Sequence, residues 1–392
     1  MRILFVTARP PWPGYRGDQA RAAGWIAGLG DRHTIGVVAL RPPGFAACRF
    51  PPGVVGSEIA LSRLGMLRAL RRAFRVPVQV ALHWHRELAA ELDRRLADLR
   101  PQVVVPVLSR VGWVGMPAGG LSATPTVLDL VDCLALNMES RAERQPLLRP
   151  LLRWEGRRIR RWDRELLTRV RYATVVSERD REALIGPSHH HAAKVRVVPF
   201  GIPVAPALPP PDRRRQVVLI SGNLGYFPTV DGVRWFARHV WPRIHRRHRD
   251  AELWLAGSRP PAEIRRLRRM PGIRIEPAPR DLAALRRQAS VAAVPLFCGS
   301  GTPIKILEAM ADGVPVVTTP QGIRGLDGID SAAVAVAEEA AEFAECLSEL
   351  LLCREAAERQ RIAAWEWVNR THALPRVIAL FEELLDDAAR QT

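Results

Sequence analysis

A chain of 392 residues with 47% hydrophobic side chains can bury the cores of two or three domains. No run of about eighteen apolar residues predicts a spanning helix, no signal-peptide core follows Arg2, and five scattered cysteines (Cys48, Cys133, Cys298, Cys346, Cys353) suit a reducing cytoplasm better than a disulfide framework or metal site. The net charge of +18 is uneven, since residues 1–200 carry 32 basic against 17 acidic side chains, so that half is expected to meet an anionic partner, membrane or nucleic acid.

Apolar strands alternating with helical segments predict an α/β protein with mainly parallel sheets. In the first half the strands are expected at Arg2–Thr7, Thr34–Leu40, Val103–Val107, Thr126–Leu130, Ala173–Val176 and Val195–Val198. Leu61–Val76 is expected as a helix with Leu64, Leu67, Leu70 and Phe74 on one stripe and Arg68, Arg71, Arg72 and Arg75 off it. Either it packs on the sheet with a solvated basic face, or its arginines and apolar stripe meet an anionic lipid interface. His83 and His85 read as incidental at a helix start, or as facing a cleft. Asp129 and Asp132 stand at a strand end, where they could bind acceptor hydroxyls or cap the next helix. Leu147–Val170 repeats the basic amphipathic pattern with Leu148, Leu152, Ile159, Trp162 and Leu166; here a helix packed on the sheet is the preferred reading. Ser177-Glu-Arg-Asp180 reads as a capping box or a cleft-lining turn, and His189-His190-His191 as an exposed loop, not a metal site.

Ile202–Pro211 is a stiff, proline-rich connector that marks the domain boundary. The expected division is 1–203, a linker at 204–214, a second domain at 215–370, and a terminal helix at 371–392 that crosses back to the first domain. The second domain's strands are expected at Val217–Ile220, Ala251–Ala256, Ile273–Ile275, Val291–Leu296 and Val314–Thr318. Between the last two, Gly299-Ser300-Gly301-Thr302-Pro303 opens a helix, with Thr302 as the expected N-cap, Pro303 as its first residue and Gly313 at its end. Loop amides and the positive helix end can cradle phosphate oxygens there. Among 58 basic residues only Lys194 and Lys305 are lysine, so a compact ammonium at this turn is selected against a strong arginine bias. Glu308, one turn on, could accept hydrogen bonds from sugar hydroxyls, or merely pair with Lys305.

The segment Pro295–Thr319 resembles the donor-site motif of glycosyltransferase family 4, retaining enzymes of the GT-B fold. Val198–Ile202, Gly222–Gly232, Trp254–Gly257 and, near the start, Ile3–Val6 with Gly14, Arg16, Gly17 and Asp18 follow in the family's order. The resemblance implies two Rossmann-like domains with parallel sheets facing a central cleft. It implies transfer of a sugar from a nucleoside diphosphate sugar to a glycan or lipid-linked acceptor, in cell-surface polysaccharide or glycolipid synthesis. By the same resemblance Lys305 and Glu308 are catalytic, and Gly222, Asn223, Arg280, Gly299, Ser300, Gly301 and Thr302 bind the donor. Gly14, Arg16, Gly17, Asp18, Arg110 and Asp132 line the acceptor side. No metal and no cofactor are expected. The place implied is the cytoplasm, peripheral at the inner face of the cell membrane, with an anionic membrane surface as partner and nucleic acid disfavoured. The family's first glutamate is replaced by Ser300, its arginine and lysine are missing from Asn223–Thr229, and Val103–Arg110 lacks its histidine. A sugar nucleotide epimerase of the same fold, a nucleic-acid binder and a noncatalytic scaffold stand as alternatives.

Overall fold

The computed structural model of the chain describes residues 1–14, 16–115, 124–186, 190–211 and 216–390. Two compact units result: Met1–Gly201 joined by the segment from Pro375 onward, and Ile202–Leu374.

The first unit is built on a seven-stranded parallel sheet, order β3-β2-β1-β4-β5-β6-β7. Its strands are β1 (Arg2–Thr7), β2 (Thr34–Arg41), β3 (Val55–Ala60), β4 (Val103–Val107), β5 (Val127–Val131), β6 (Tyr172–Val175) and β7 (Val195–Val197). Continuous valine-rich runs such as Val103–Val107 are buried throughout, as strands covered on both faces must be. β3 was not expected, because Val55-Gly-Ser-Glu-Ile-Ala60 offers only two strong β-formers and no buried residue. It is an edge strand held in register by β2, with Arg41 Nε 2.6 Å from Glu58 Oε1.

Leu61–Val76 does not form one helix. Ser62 accepts the Gly65 amide at 2.9 Å and caps Arg63–Ala69, after which the chain tightens into a 3₁₀ turn, Leu70–Phe74, just before Pro77. The second basic segment runs as a helix from Arg149 to Arg169 and buries Leu152, Ile159, Trp162 and Leu166, while Leu148 stays outside. The terminal helix Leu374–Arg390 packs on this unit, with Phe381 stacked 4.3 Å from the Trp25 ring and Glu382 bound to Arg32 and His33 at 2.6 Å. Gly28 lets Ile378 pack closely there, since a Cβ would lie 2.0 Å from Ile378 Cδ1 and make that side chain shift.

The second unit carries a six-stranded parallel sheet, order β10-β9-β8-β11-β12-β13. The strands are β8 (Val217–Ser221), β9 (Glu252–Gly257), β10 (Ile273–Pro277), β11 (Val291–Val294), β12 (Val316–Thr318) and the two-residue edge β13 (Ala335–Val336), too short to show in the sequence pattern. Both sheets share one logic: the chain starts in the middle, builds outward to one side, then crosses to the other. Strand order reverses between β1 and β4, and again between β8 and β11. At such a reversal the loops leaving two strands diverge and open a crevice at the carboxyl ends, where α/β folds bind ligands.

Candidate active site

In the second unit the loops leaving β8 and β11 lie at the reversal. Gly257 has φ 152°, and a Cβ there would sit 1.6 Å from the Gly222 carbonyl oxygen; one on Gly232 would sit 1.9 Å from the Pro295 carbonyl oxygen. Backbone therefore passes backbone without side chains between them. The glycine loop turns through left-handed Gly301, φ 68°, and is held by Gln321 Nε2 donating to the Gly299 carbonyl at 3.0 Å.

Thr302 is not the helix cap, because its hydroxyl donates to the Gly325 carbonyl at 3.1 Å. Pro303 takes the cap position and the helix runs Ile304–Ala311, with Gly313 (φ 69°) just past its end. No side chain caps this N-terminus, which leaves its first amides and the positive end of its dipole for an anion to meet. Lys305 is the second residue of that helix. Its Nζ reaches back over the end of β8 and donates to Thr229 Oγ1 at 3.1 Å, in the first turn of the helix Phe227–Trp235; a Cβ on Gly222 would lie 3.8 Å from it. Burial pulls this ammonium down to about 8, against the opposing pull of the Glu308 charge.

Glu308 does not rely on Lys305 for a partner. Arg286 Nη1 donates to its Oε2 at 3.2 Å while Arg286 Nε holds Asp312 Oδ2 at 2.7 Å, which fixes the carboxylate's orientation from below. Burial raises the Glu308 pKa, and Arg286 works against that rise. Arg286, on the helix Leu282–Arg287, was invisible in the sequence because one arginine among so many carries no signal. Asn223 uses its side-chain oxygen locally, accepting the Gly225 amide at 3.0 Å. Arg280 is exposed in the loop after β10, next to Asp281, which caps the following helix through the Ala284 amide at 2.8 Å. The structure thus gathers Gly222, Lys305 and Thr229 in direct proximity, with Glu308 one helical turn beyond. β9 lies between β8 and the strand that leads to Arg280.

The titration of Lys305 gives a pH dependence with a definite sign. Above about 8 the folded protein has lost a proton that the unfolded chain keeps up to the ordinary lysine range, so this group's contribution to stability rises with pH through that window. Affinity for a phosphate-bearing anion at this helix end should do the opposite, falling as pH rises past about 8, with proton uptake on binding. Calorimetry in buffers of different ionisation enthalpy should show that uptake in the native protein and not in Lys305→Arg, whose guanidinium keeps its proton. Equal affinity at about pH 7 and about pH 9.5, on the two sides of this titration, would remove Lys305 from the anion site.

The first unit places a second charged group at its own reversal, between β1 and β4. Arg9, directly after β1, pairs with Asp18 in the first turn of the helix Gly17–Gly30, and Gln19 Nε2 ties the loop down at the Pro10 carbonyl, 2.7 Å away. Arg16 is that helix's N-cap and its guanidinium lies 5.5 Å from the Phe45 ring centroid; Gly14 is exposed in the same loop. Arg110, after β4, donates to Gln79 Oε1 at 2.8 Å. Burial brings it down to about 10, helped by Arg9 and opposed by Asp18 and Asp132, so the four charges share one neighbourhood. Arg9 escaped the sequence reading, as did Asp163, a fully buried carboxyl that accepts the Ser109 hydroxyl and is pushed up to about 7 by burial.

Other candidates are structural. Asp129 neither binds from the crevice nor caps a helix: it is completely buried, accepting from Arg21 Nε at 2.8 Å, Trp25 Nε1 at 2.9 Å and Thr174 Oγ1 at 2.8 Å. Arg21 in turn donates to the carbonyls of Val198 and Pro199. The helix Leu134–Arg144 has Cys133 at its N-cap and no side-chain cap; Asp180 accepts the Cys133 amide at 2.9 Å, while Ser177 caps its own helix. His83 is held at about 3 by burial and by Arg110, and binds the Gln79 carbonyl; His85 binds the Leu82 carbonyl at 2.9 Å. Both are core histidines. His189 lies outside the described residues, and no metal-binding cluster of three or more His, Cys, Asp or Glu occurs among those described.

Comparison with known proteins fits this geometry. Residues 215–352 match the family model described as Glycosyl transferases group 1. No curated protein matches in sequence. Solved structures match along the whole chain at low identity. Sucrose-phosphate synthase from Thermosynechococcus elongatus is 14% identical over 100% of both chains, with a TM-score of 0.76. HepE from Anabaena in complex with UDP-glucose is 16% identical over 99% of this chain and 100% of the other, TM-score 0.68. WaaG, a glycosyltransferase involved in lipopolysaccharide biosynthesis, is 14% identical over 98% and 99%, TM-score 0.66. The fold is thus that of GT-B glycosyltransferases, two Rossmann-like domains with parallel sheets.

Proposed function

We propose that this chain, built on the fold of the GT-B glycosyltransferases, transfers a sugar with retention from a nucleoside diphosphate donor held by the second unit to a glycan or lipid-linked acceptor bound by the first. The observation that carries the reading is Lys305, a half-buried ammonium whose hydrogen-bond partner is a neutral threonine hydroxyl, set beside an uncapped helix N-terminus at the reversal of strand order. Among the described residues this ammonium is hydrogen-bonded to Thr229 and forms no direct ion pair, so an arriving diphosphate would supply one. During transfer the charge on the departing diphosphate grows, and a fixed donor in a desolvated site stabilises that growing charge more than the ground state. This is the role a divalent ion fills elsewhere, so the reaction is proposed to run without a metal. Glu308, oriented by Arg286, is proposed to accept the donor's ribose hydroxyls. On the acceptor side Asp18, Arg110 and Asp132 are proposed to meet acceptor hydroxyls, with polysaccharide or glycolipid synthesis as the setting.

UDP-glucose bound in the Anabaena relative makes UDP-sugars the first donors to test. The decisive assay follows donor hydrolysis and transfer over a panel of UDP-, GDP- and ADP-sugars in excess chelator. Turnover of at least one donor is expected to persist there. Abolition by chelator with rescue by magnesium or manganese would reject the metal-free mechanism, and inertness toward every donor would reject the transferase. In the same assay Glu308→Gln should raise KM for the donor with little change in kcat, because a ribose contact is already made in the ground state.

A further inference from the structure

We infer that the first unit docks on an anionic lipid bilayer through one composite surface formed by the Arg63–Phe74 segment and the first two turns of the helix Arg149–Arg169. The inference is independent of the donor site. Most large apolar side chains of this unit are in its core, yet Phe74 is 95% exposed, Leu147 97%, Leu67 64%, Leu151 58%, Leu64 56% and Trp154 45%.

These residues belong to two separate stretches of sequence that the fold brings together. Arg158 donates to the carbonyls of Ala73 and Val76, and Glu155 Oε1 accepts the Val78 amide at 2.6 Å, so the helix lies against the end of the 3₁₀ turn. Residues 151, 154 and 158 recur at helical spacing, the Arg158 guanidinium covers the Trp154 ring at 4.4 Å, and Leu147 lies in the 3₁₀ turn Pro146–Leu148 that leads into this helix. Leu151 and Trp154 therefore continue the line that Arg158 anchors beside Phe74, with exposed Leu147 in the turn just before them. The sequence had favoured a helix packed on the sheet for Leu147–Val170. Its carboxyl-terminal part does pack so, but its first turns present leucine and tryptophan outward.

Charge selects the occupant. No acidic residue occurs from Leu61 to Arg86 or from Arg144 to Trp154, while Arg68, Arg71, Arg75, Arg149, Arg153 and Arg157 are exposed around the apolar tips. A nucleic acid would satisfy the arginines but not the leucines, and an apolar protein groove would leave the arginines unmatched. A bilayer with anionic headgroups takes both: guanidinium groups meet lipid phosphates while Phe74, Leu147 and Trp154 enter the boundary with the acyl chains. Among the described residues no helix is long and apolar enough to cross the membrane.

The test uses the full chain and sedimentation with vesicles of phosphatidylcholine, alone or mixed with phosphatidylglycerol, at physiological salt. The native protein should sediment with the mixed vesicles only. The triple variant Arg71→Gln, Arg75→Gln, Arg149→Gln should weaken that binding about 100-fold. Phe74→Ser, Leu147→Ser, Trp154→Ser should weaken it at least about tenfold and leave weak, fully salt-reversible association. All the altered side chains are exposed, and unchanged far-ultraviolet circular dichroism with an unchanged unfolding transition of the first unit would show that both variants remain folded. Failure of the native protein to bind mixed vesicles, or binding unaltered by the serine substitutions, overturns the inference. DNA binding without vesicle binding, indifferent to the serines, would assign the surface to nucleic acid instead.

Discussion

Lys305→Ala should lower kcat by about 100- to 1000-fold, equivalent to roughly 3 to 4 kcal/mol of transition-state stabilisation, while the protein stays folded. The size follows from where the charge sits. Its Nζ is held at 3.1 Å from Thr229 Oγ1, between the Gly222 turn and the start of the helix Ile304–Ala311. Removing the ammonium should not unfold the unit, since burial already holds its pKa down to about 8, a sign that the charged form is disfavoured in the free protein. Stability to heat should therefore be equal or slightly raised, whereas stabilisation by nucleoside diphosphate should shrink. Lys305→Arg should recover binding better than rate, because a broad guanidinium fork cannot occupy the space of a compact ammonium beside Gly222. Native turnover in Lys305→Ala would sink the proposed anion site outright, and Thr229→Val, which removes only the hydroxyl partner, should have a much smaller effect.

Asp129→Ala should destabilise the first unit by about 3 to 5 kcal/mol, the usual cost of stranding one member of a buried ion pair. Arg21 is 3% exposed and Asp129 0%, so neither charge has water to fall back on. The carboxylate also accepts from Trp25 and Thr174 and binds the Val131 amide at 3.3 Å, tying the helix Gly17–Gly30 to β5 and β6. Calorimetric unfolding with and without nucleoside diphosphate, which marks the second unit, should place the loss in the first unit's transition. Adding Arg21→Met to Asp129→Ala should recover part of it, since an apolar pair leaves no orphan charge. A loss below about 1 kcal/mol would show that Asp129 is not the electrostatic centre of this core.

The sequence by itself determined the two parallel sheets and most of their strands, because strands covered on both faces must be written as continuous apolar runs. It also determined the glycine turn that opens the helix Ile304–Ala311, since left-handed Gly301, the proline at the helix entry and Gly313 at its exit are demands of local backbone geometry. Lys305 was legible for a compositional reason, as a lysine in an arginine-biased chain. What only the tertiary structure decided is partnership over long range. Arg286 reaches Glu308 from 22 residues away, Thr229 meets Lys305 across 76, and Asp129 meets Arg21 across 108; no local pattern records such pairings. The same holds for what covers a helix face. Periodicity announced apolar stripes in both basic segments, yet whether core or solvent lies against Phe74, Leu148 and Leu152 depends on how distant elements pack, and the fold buries Leu152 while leaving the other two outside.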